Sequence, residues 1–266
     1  MSELPISPRS AARIRHDGRY GGRIGKRDAP LPAAPDAMRP VLAEAWWTQA
    51  ATEARVAHSF ALITRALREA GADDALVKLA DRAVDDEHRH AALCEGLSAA
   101  YAGAAPRPYV DVAPYRPEHP DAPRALRPVL HVVGQCCFNE TFAGAYLACA
   151  SEGATEALAR YALRELLADE IDHARIGWAF LQTRSKAERA ALSKRLVALA
   201  LSNLREWFRL DLPAHERFAA YGIPHRERVR EALFECLRGV LIPGFAAAGL
   251  DTRALERFAR TGRPDA

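Results

Sequence analysis

Two copies of a Glu-x-x-His motif constrain this chain more than any other feature of its sequence. They lie at residues 86–90 (Asp-Glu-His-Arg-His) and 169–173 (Asp-Glu-Ile-Asp-His), and Asp precedes Glu in both. On a helix, residues i and i+3 lie about 60° apart around the axis, so the Glu and His of one motif can bind one metal ion. Two further glutamates, Glu53 and Glu140, precede the motif glutamates by 34 and 30 residues. This order is typical of a dinuclear metal site inside a four-helix bundle.

The pattern provides a ligand set that two divalent metal ions would neutralise. The candidate metal ligands and catalytic residues are Glu53, Glu87, His90, Glu140, Glu170 and His173. The four negative carboxylates and two neutral imidazoles could be buried with two divalent ions at no net charge. Carboxylates with His and open coordination positions suit iron or manganese, whereas zinc more often binds Cys or a third His. We therefore expect two iron ions, with manganese or a mixed manganese–iron pair as the alternative.

Four long helices are predicted around these ligands. They cover residues 40–70, residues 73–101 with Asp73 or Asp74 as the N-cap, residues 125–151 and residues 155–184. The segment between the second and third helices, residues 102–123, contains six prolines, and the other two connections are two to four residues long. One long crossover between the second and third helices is the layout of a ferritin-like bundle. Each candidate glutamate falls near the middle of its helix, so the four carboxylates can meet at one level.

The sequence on either side of this bundle differs from it in pattern. Residues 1–38 form a basic arm rich in Gly and Pro, which we expect to be disordered. Residues 39–185 are the predicted bundle. In residues 186–266, further helices are predicted at 186–210, at 227–241 with a continuation past a kink at Pro243, and at 252–260. These two or three helices are expected to pack on the bundle or on a sister subunit, which leaves a homodimer open.

Charge and hydropathy argue against nucleic-acid and membrane partners. Residues 1–39 hold eight Arg and Lys residues against four Asp and Glu residues, whereas the remaining 227 residues carry 29 against 30. The basic character is thus confined to an arm without the interleaved aromatic residues that stack on bases, and we interpret it as a solvated tail. The sequence contains no apolar run of bilayer-spanning length and no secretory signal. Its five Cys residues fit reduced thiols, so a cytoplasmic location is expected.

On these motifs, the chain resembles the ferritin-like di-iron carboxylate superfamily over roughly residues 40–185. The similarity is to the branch with two Asp-Glu-x-x-His motifs, which includes bacterial multicomponent monooxygenases, acyl carrier protein desaturases and di-iron N-oxygenases. The resemblance implies that Glu87 and Glu170 bridge the metals and that the other two glutamates are terminal ligands. It also implies that Asp86 and Asp169 each accept a hydrogen bond from the His of the facing motif, which fixes the imidazole tautomer.

The surroundings of the predicted site lead to further expectations. Small residues such as Gly144 fall on the metal-facing side of their helices and leave room for a substrate, although an Ala-rich chain also packs its helices closely. Arg89 lies where the branch often has Arg, but its position two residues after Glu87 is expected to direct it away from the metals. Tyr146 is likewise not expected to face them. The chain departs from rubrerythrin-type proteins because it lacks a Cys-x-x-Cys module.

The leading functional expectation is an oxidoreductase: a di-iron oxidase or oxygenase that uses O2 to oxidise a small organic substrate. The sequence contains no flavin, nicotinamide or ferredoxin motif, so a separate electron donor is expected. The alternative is a ferritin-like ferroxidase or iron-binding protein without an organic substrate. A substrate-sized cavity at the metals would favour the enzyme, and a hollow multi-subunit shell would favour iron storage. A third interpretation is a bundle that binds no metal.

Overall fold

The structure, a computed structural model, describes residues 34–105, 107, 117–213 and 215–263. The described residues form helices joined by turns and irregular segments, with no β-strand among them. The protein is therefore an all-α helical bundle, as predicted. The basic arm predicted at residues 1–38 lies almost entirely outside the described residues, and the division of the chain into three regions stays a prediction.

Two helices connected by a short turn make up the first half of the bundle. Helix α1 spans Arg39–Glu69 with a proline in its first turn, and α2 spans Asp74–Ala102. The Asp73 side chain caps α2 by accepting a hydrogen bond from the backbone N–H of Ala75. Gly103 ends α2 in the left-handed conformation, with φ of 63°. Both helices begin and end within about two residues of their predicted limits, and they pack against each other along their length.

The second half of the bundle contains one interrupted helix and one continuous helix. The interrupted helix consists of α3 (Arg127–Val132), a π-helical segment (Val133–Asn139) and α4 (Glu140–Gly153). Helix α5 follows at Ala157–Gln182 after a turn of three residues. Helix α5 packs against α2, against the π-helical segment and against α4, while α3 packs against α1. These contacts close the four-helix bundle, with the long crossover between its second and third members. The π-helical segment was not predicted.

The C-terminal helices cover one side of this bundle. Helices α6 (Lys186–Ser193) and α7 (Leu196–Phe208) replace the single helix predicted at 186–210, which was wrong because the chain turns at Lys194 and Arg195. Helix α8 (Arg226–Cys236) continues through a π-helical turn into α9 (Ile242–Ala247), and α10 (Arg253–Thr261) is the last. Helix α7 packs against the π-helical segment, and α8 packs against α4.

The apolar core fills the space between these helices, and its composition suits close packing. Large side chains such as Trp46, Phe60, Phe138 and Phe180 are fully or almost fully buried, with many alanines between them. None of the described helices combines the length and the apolar character that crossing a bilayer requires.

Candidate metal centre

The structure brings all six candidate ligands together in the middle of the bundle. The ligands come from α1, α2, α4 and α5, and they form two overlapping groups. One group is Glu53, Glu87, His90 and Glu170, and the other is Glu87, Glu140, Glu170 and His173. Within each group the potential ligand atoms all lie within 4.8 Å of one another. Because Glu87 and Glu170 belong to both groups, the geometry suits two adjacent metal ions that share these two carboxylates.

Several polar atoms at this centre are buried without a hydrogen-bond partner among the described residues. They are both carboxylate oxygens of Glu87, Oε2 of Glu170, Nδ1 of His90, and both ring nitrogens of His173. A buried polar group without a partner costs roughly 1–3 kcal/mol, so such groups are rare in folded proteins. Their concentration at one point, on atoms that are good ligands for divalent iron or manganese, shows that the cluster could hold metal ions.

The two histidines face the shared carboxylates with the same ring atom. Nδ1 of His90 lies 3.4 Å from Glu87 Oε2 and 3.8 Å from Glu170 Oε1. Nδ1 of His173 lies 3.0 Å from Glu87 Oε1 and 3.5 Å from Glu170 Oε2. Both imidazoles can therefore bind metal through Nδ1, which leaves Nε2 directed toward the periphery of the site.

Burial and mutual repulsion perturb the carboxyl groups in the absence of metal. Burial raises the pKa of Glu53 well above its usual range, and the charge of Glu87 raises it further. Burial and the charge of Glu170 raise the pKa of Glu140 in the same way. Burial also acts to raise the pKa of Glu87, but the neighbouring His173 and His90 outweigh it and lower that pKa far below its usual range. Metal ions bind deprotonated carboxylates, so they would compete with protons at these two glutamates.

The neighbouring carboxylates raise the pKa values of both histidines. Burial favours neutral imidazole, yet interactions with Asp169 and Glu87 raise the pKa of His90 to about 10. The pKa of His173 is raised well above its usual value by Asp86 and the two shared glutamates, which outweigh the opposing effect of burial. Without metal, two imidazolium ions would compensate the buried carboxylates; with metal, both rings must be neutral to act as ligands.

Two aspartates lie next to the Nε2 atoms of the histidines, and one arginine contacts both aspartates. Nε2 of His90 lies 3.1 Å from Oδ2 of Asp169, within hydrogen-bonding distance, and Nε2 of His173 lies 3.7 Å from Oδ2 of Asp86. Nη2 of Arg89 donates to both aspartates, at 2.8 Å to Asp86 and 2.6 Å to Asp169. Each Asp thus faces the His of the other motif, but only Asp169 lies within hydrogen-bonding distance, and Nε2 of His173 has no hydrogen-bond partner among the described residues. The hydrogen bond that the resemblance implies between Asp86 and His173 stays a prediction. Arg89 was expected to point away from the metals, and these two hydrogen bonds join it to aspartates, the second of them on α5, and not to a candidate metal ligand.

A pair of glutamines contacts the two terminal glutamates. Gln49 donates to Oε1 of Glu53 from one turn earlier on α1. Gln135 donates to Oε1 of Glu140 over 2.6 Å, although it precedes that residue by five positions. A π-helix pairs residues five apart where an α-helix pairs residues four apart, so the π-helical segment gives Gln135 the position that Gln49 has on an ordinary α-helix. Asn139 also donates to Glu140 Oε1, over 3.3 Å.

A cavity of about 120 Å³ adjoins the centre on the side of the two terminal glutamates. Three of the six ligands, Glu53, Glu140 and Glu170, contribute to its lining. The remaining lining residues come from α1, the π-helical segment, α4, α7 and Leu210. Apolar and aromatic side chains of the lining are Val56, Ala143, Tyr146, Leu147, Trp207 and Leu210. The Tyr146 and Trp207 rings lie 5.4 Å apart between centroids, at an interplanar angle of 40°.

The expectation that Gly144 borders the substrate space was wrong, whereas the expectation that Tyr146 does not face the metals stays a prediction. Tyr146 lines the cavity together with three ligands, and its burial raises its pKa far above the usual value. Gly144 does not line the cavity, and a Cβ atom added there would meet no atom within 4 Å outside its own helix. Both residues lie on α4 after Glu140, and the helical angle alone did not show which neighbouring helix each would face.

Comparisons with known proteins do not assign the chain to a family. No protein-family model matches the sequence, and searches of the curated proteins and of the solved structures find no significant match. The resemblance to the ferritin-like di-iron carboxylate proteins therefore rests on the two motifs, the helical bundle and the buried Glu and His cluster. These features are consistent with a di-iron site.

Proposed function

We propose that the protein is a non-haem di-iron oxidase or oxygenase that activates O2 to oxidise a small organic substrate, with electrons from a separate donor. The observation that carries this proposal is the cavity beside Glu53, Glu140 and Glu170, because it offers space for an organic molecule next to the ligand cluster. A centre that only binds metal would not require an apolar and aromatic lining on its open side.

The six clustered residues would hold the metal pair. When bound, two ferrous ions would supply the two electrons that begin the reduction of O2. Glu87 and Glu170 are placed to be shared by both ions, while Glu53 and Glu140 would each complete the coordination of one. Asp169 holds the His90 ring by its Nε2 atom, so that Nδ1 remains available for a metal.

The cavity residues would position the substrate and exclude bulk water. An oxygenation that inserts one oxygen atom reduces the other to water, which consumes two electrons and two protons from outside. The described residues show no cofactor-binding motif for a flavin or a nicotinamide, so the donor in this proposal is a separate protein. The amide groups of Gln49 and Gln135 hold the terminal carboxylates in place on the cavity side.

Anaerobic loading with ferrous iron followed by a pulse of O2 tests this proposal. The expected result is saturation at two iron ions per chain, and O2 consumption that continues only when an organic substrate and a chemical reductant are both present. The Glu87→Ala variant should lose the reaction, and the Glu118→Ala variant should retain it because Glu118 lies outside the cluster. Uptake of many more than two irons per chain, with formation of a mineral, would instead identify a ferroxidase.

A further inference from the structure

We propose that the substrate of this site is a small aromatic acid whose anionic group binds Arg55. The inference rests on the proposed function and adds the substrate class to it. Arg55 lies two residues after Glu53 on α1, is half-buried and contributes to the cavity lining.

Arg55 is the charged residue of the lining that remains available to bind an anion. The ionisable lining residues of the cavity are Glu53, Glu140, Glu170, Glu206, Arg55 and Tyr146. The first three carboxylates would be neutralised by the metal ions they bind. Glu206 accepts a hydrogen bond of 2.6 Å from Nη1 of Arg209, so its charge is already compensated. Burial keeps Tyr146 in its neutral phenol form. Among the described residues no carboxylate pairs with Arg55, so a positive charge remains for a ligand.

The other polar groups of the lining offer fewer donors to a ligand. Gln49 and Gln135 donate to the terminal glutamates, and Asn203 donates over 2.9 Å to the backbone oxygen of Leu199. Ser59 donates to the backbone oxygen of Arg55 itself. The guanidinium, with five N–H donors in a planar fork, is thus the group best suited to recognise a carboxylate.

The volume of the cavity and its aromatic lining residues favour a substrate with a single aromatic ring. A cavity of about 120 Å³ compares with the cavity of roughly 150 Å³ that accommodates benzene in an apolar protein interior. Tyr146 and Trp207 form a tilted aromatic pair on one wall, and aromatic rings pack favourably in tilted or offset arrangements. Trp207 is held by a hydrogen bond of 3.2 Å from its Nε1 to Oδ1 of Asn139, which also donates to Glu140. The aromatic wall is therefore fixed relative to the metal ligands.

Isothermal titration with benzoate, benzamide and benzylamine tests the inference without any turnover. The protein is first loaded anaerobically with two ferrous ions per chain, and loading is confirmed by elemental analysis. We expect benzoate to bind, and benzamide and benzylamine to bind at least tenfold more weakly. Loss of a charge-assisted contact in Arg55→Met should weaken benzoate binding roughly ten- to a hundredfold. Arg55→Lys should retain part of the affinity, because it keeps the charge and loses the fork.

The matched control is Arg68→Met, which removes the same charge from the exposed C-terminal end of α1, outside the cavity. It should bind benzoate as the wild type does. Equal benzoate affinity in wild type and Arg55→Met would overturn the inference, because the carboxylate would then bind the metals directly. Equal affinity for benzoate and benzamide in the wild type would overturn it without any variant. Failure to load metal would instead overturn the proposed function.

Discussion

At the scale of single residues, the four glutamates of the candidate centre are of two kinds, shared and terminal. Glu87 and Glu170 belong to both ligand groups, whereas Glu53 belongs to one and Glu140 to the other. Spacing along the chain was enough to predict these residues, because i and i+3 positions fix the relation of Glu to His within a helix. It could not predict Arg89, since its two partners lie on different helices and only the packing of α2 against α5 brings them together.

Loss of a shared glutamate should reduce the number of bound metal ions more than loss of a terminal glutamate does. In Glu53→Ala one ligand group remains complete, so we expect about one tightly bound iron per chain after anaerobic loading. In Glu87→Ala both groups lose a member, and we expect well under one. Elemental analysis of the desalted protein measures both values. Equal stoichiometry in the two variants would contradict the sharing of Glu87, and Glu118→Ala serves as the control that should bind as the wild type does.

The two aspartates should also differ in their effect on metal affinity. Asp169 lies 3.1 Å from the His90 imidazole, whereas Asp86 lies 3.7 Å from that of His173. Loss of a carboxylate that orients a metal-binding His typically costs about 10–100-fold in affinity. We expect Asp169→Asn to lower iron affinity within this range and Asp86→Asn to lower it less, as measured by competition with a chelator. Asp85→Asn, on the exposed side of α2, should leave it unchanged.

At the scale of elements, the π-helical segment at Val133–Asn139 is the feature that sequence patterns could not predict. Its sequence, Val-Gly-Gln-Cys-Cys-Phe-Asn, is typical of an ordinary apolar helix, and the change from i→i+4 to i→i+5 hydrogen bonds leaves no recognisable sequence signal. The lengths of α1 and α2 were predictable because proline, glycine and capping residues mark their ends. The break between α6 and α7 has no such mark, since Lys194 and Arg195 both favour helix.

Gly177 allows α5 to approach the π-helical segment closely. A Cβ atom at this position would lie 2.7 Å from the backbone of Cys136 and Cys137. We therefore expect Gly177→Ala to lower the free energy of unfolding by about 1–3 kcal/mol through overpacking. Gly144→Ala is the matched control, because it has open space and should raise stability by roughly 0.5–1 kcal/mol through helix propensity. Denaturant titrations of both variants measure these changes, and an unchanged Gly177→Ala would contradict this packing.

At the scale of the whole molecule, metal binding and folding should be coupled through the buried charges. Because Glu53 and Glu140 have raised pKa values in the fold, their contribution to stability is present below about pH 4.5 and declines as the pH rises through those values. His90, with its pKa raised to about 10, contributes below about pH 6.5 and loses this contribution toward pH 10. The lowered pKa of Glu87 acts in the opposite direction, but only in acid.

The metal-free protein should consequently lose thermal stability between about pH 5.5 and pH 8.5. Metal requires deprotonated ligands, so the metal-bound protein should gain from the same rise in pH. We expect the difference in Tm between the metal-bound and the chelator-treated protein to widen across this range, as followed by circular dichroism. A difference that stays constant or narrows would mean that the six residues do not exchange protons for metal.

The number of metal ions per chain tests the central claim most directly, because every functional argument depends on a centre that holds two. The protein is loaded anaerobically with excess ferrous iron, desalted, and assayed for iron and protein in the same sample. The geometry of the two overlapping ligand groups predicts two irons per chain. Well under one iron per chain, in protein whose helical content shows that it is folded, would contradict the account.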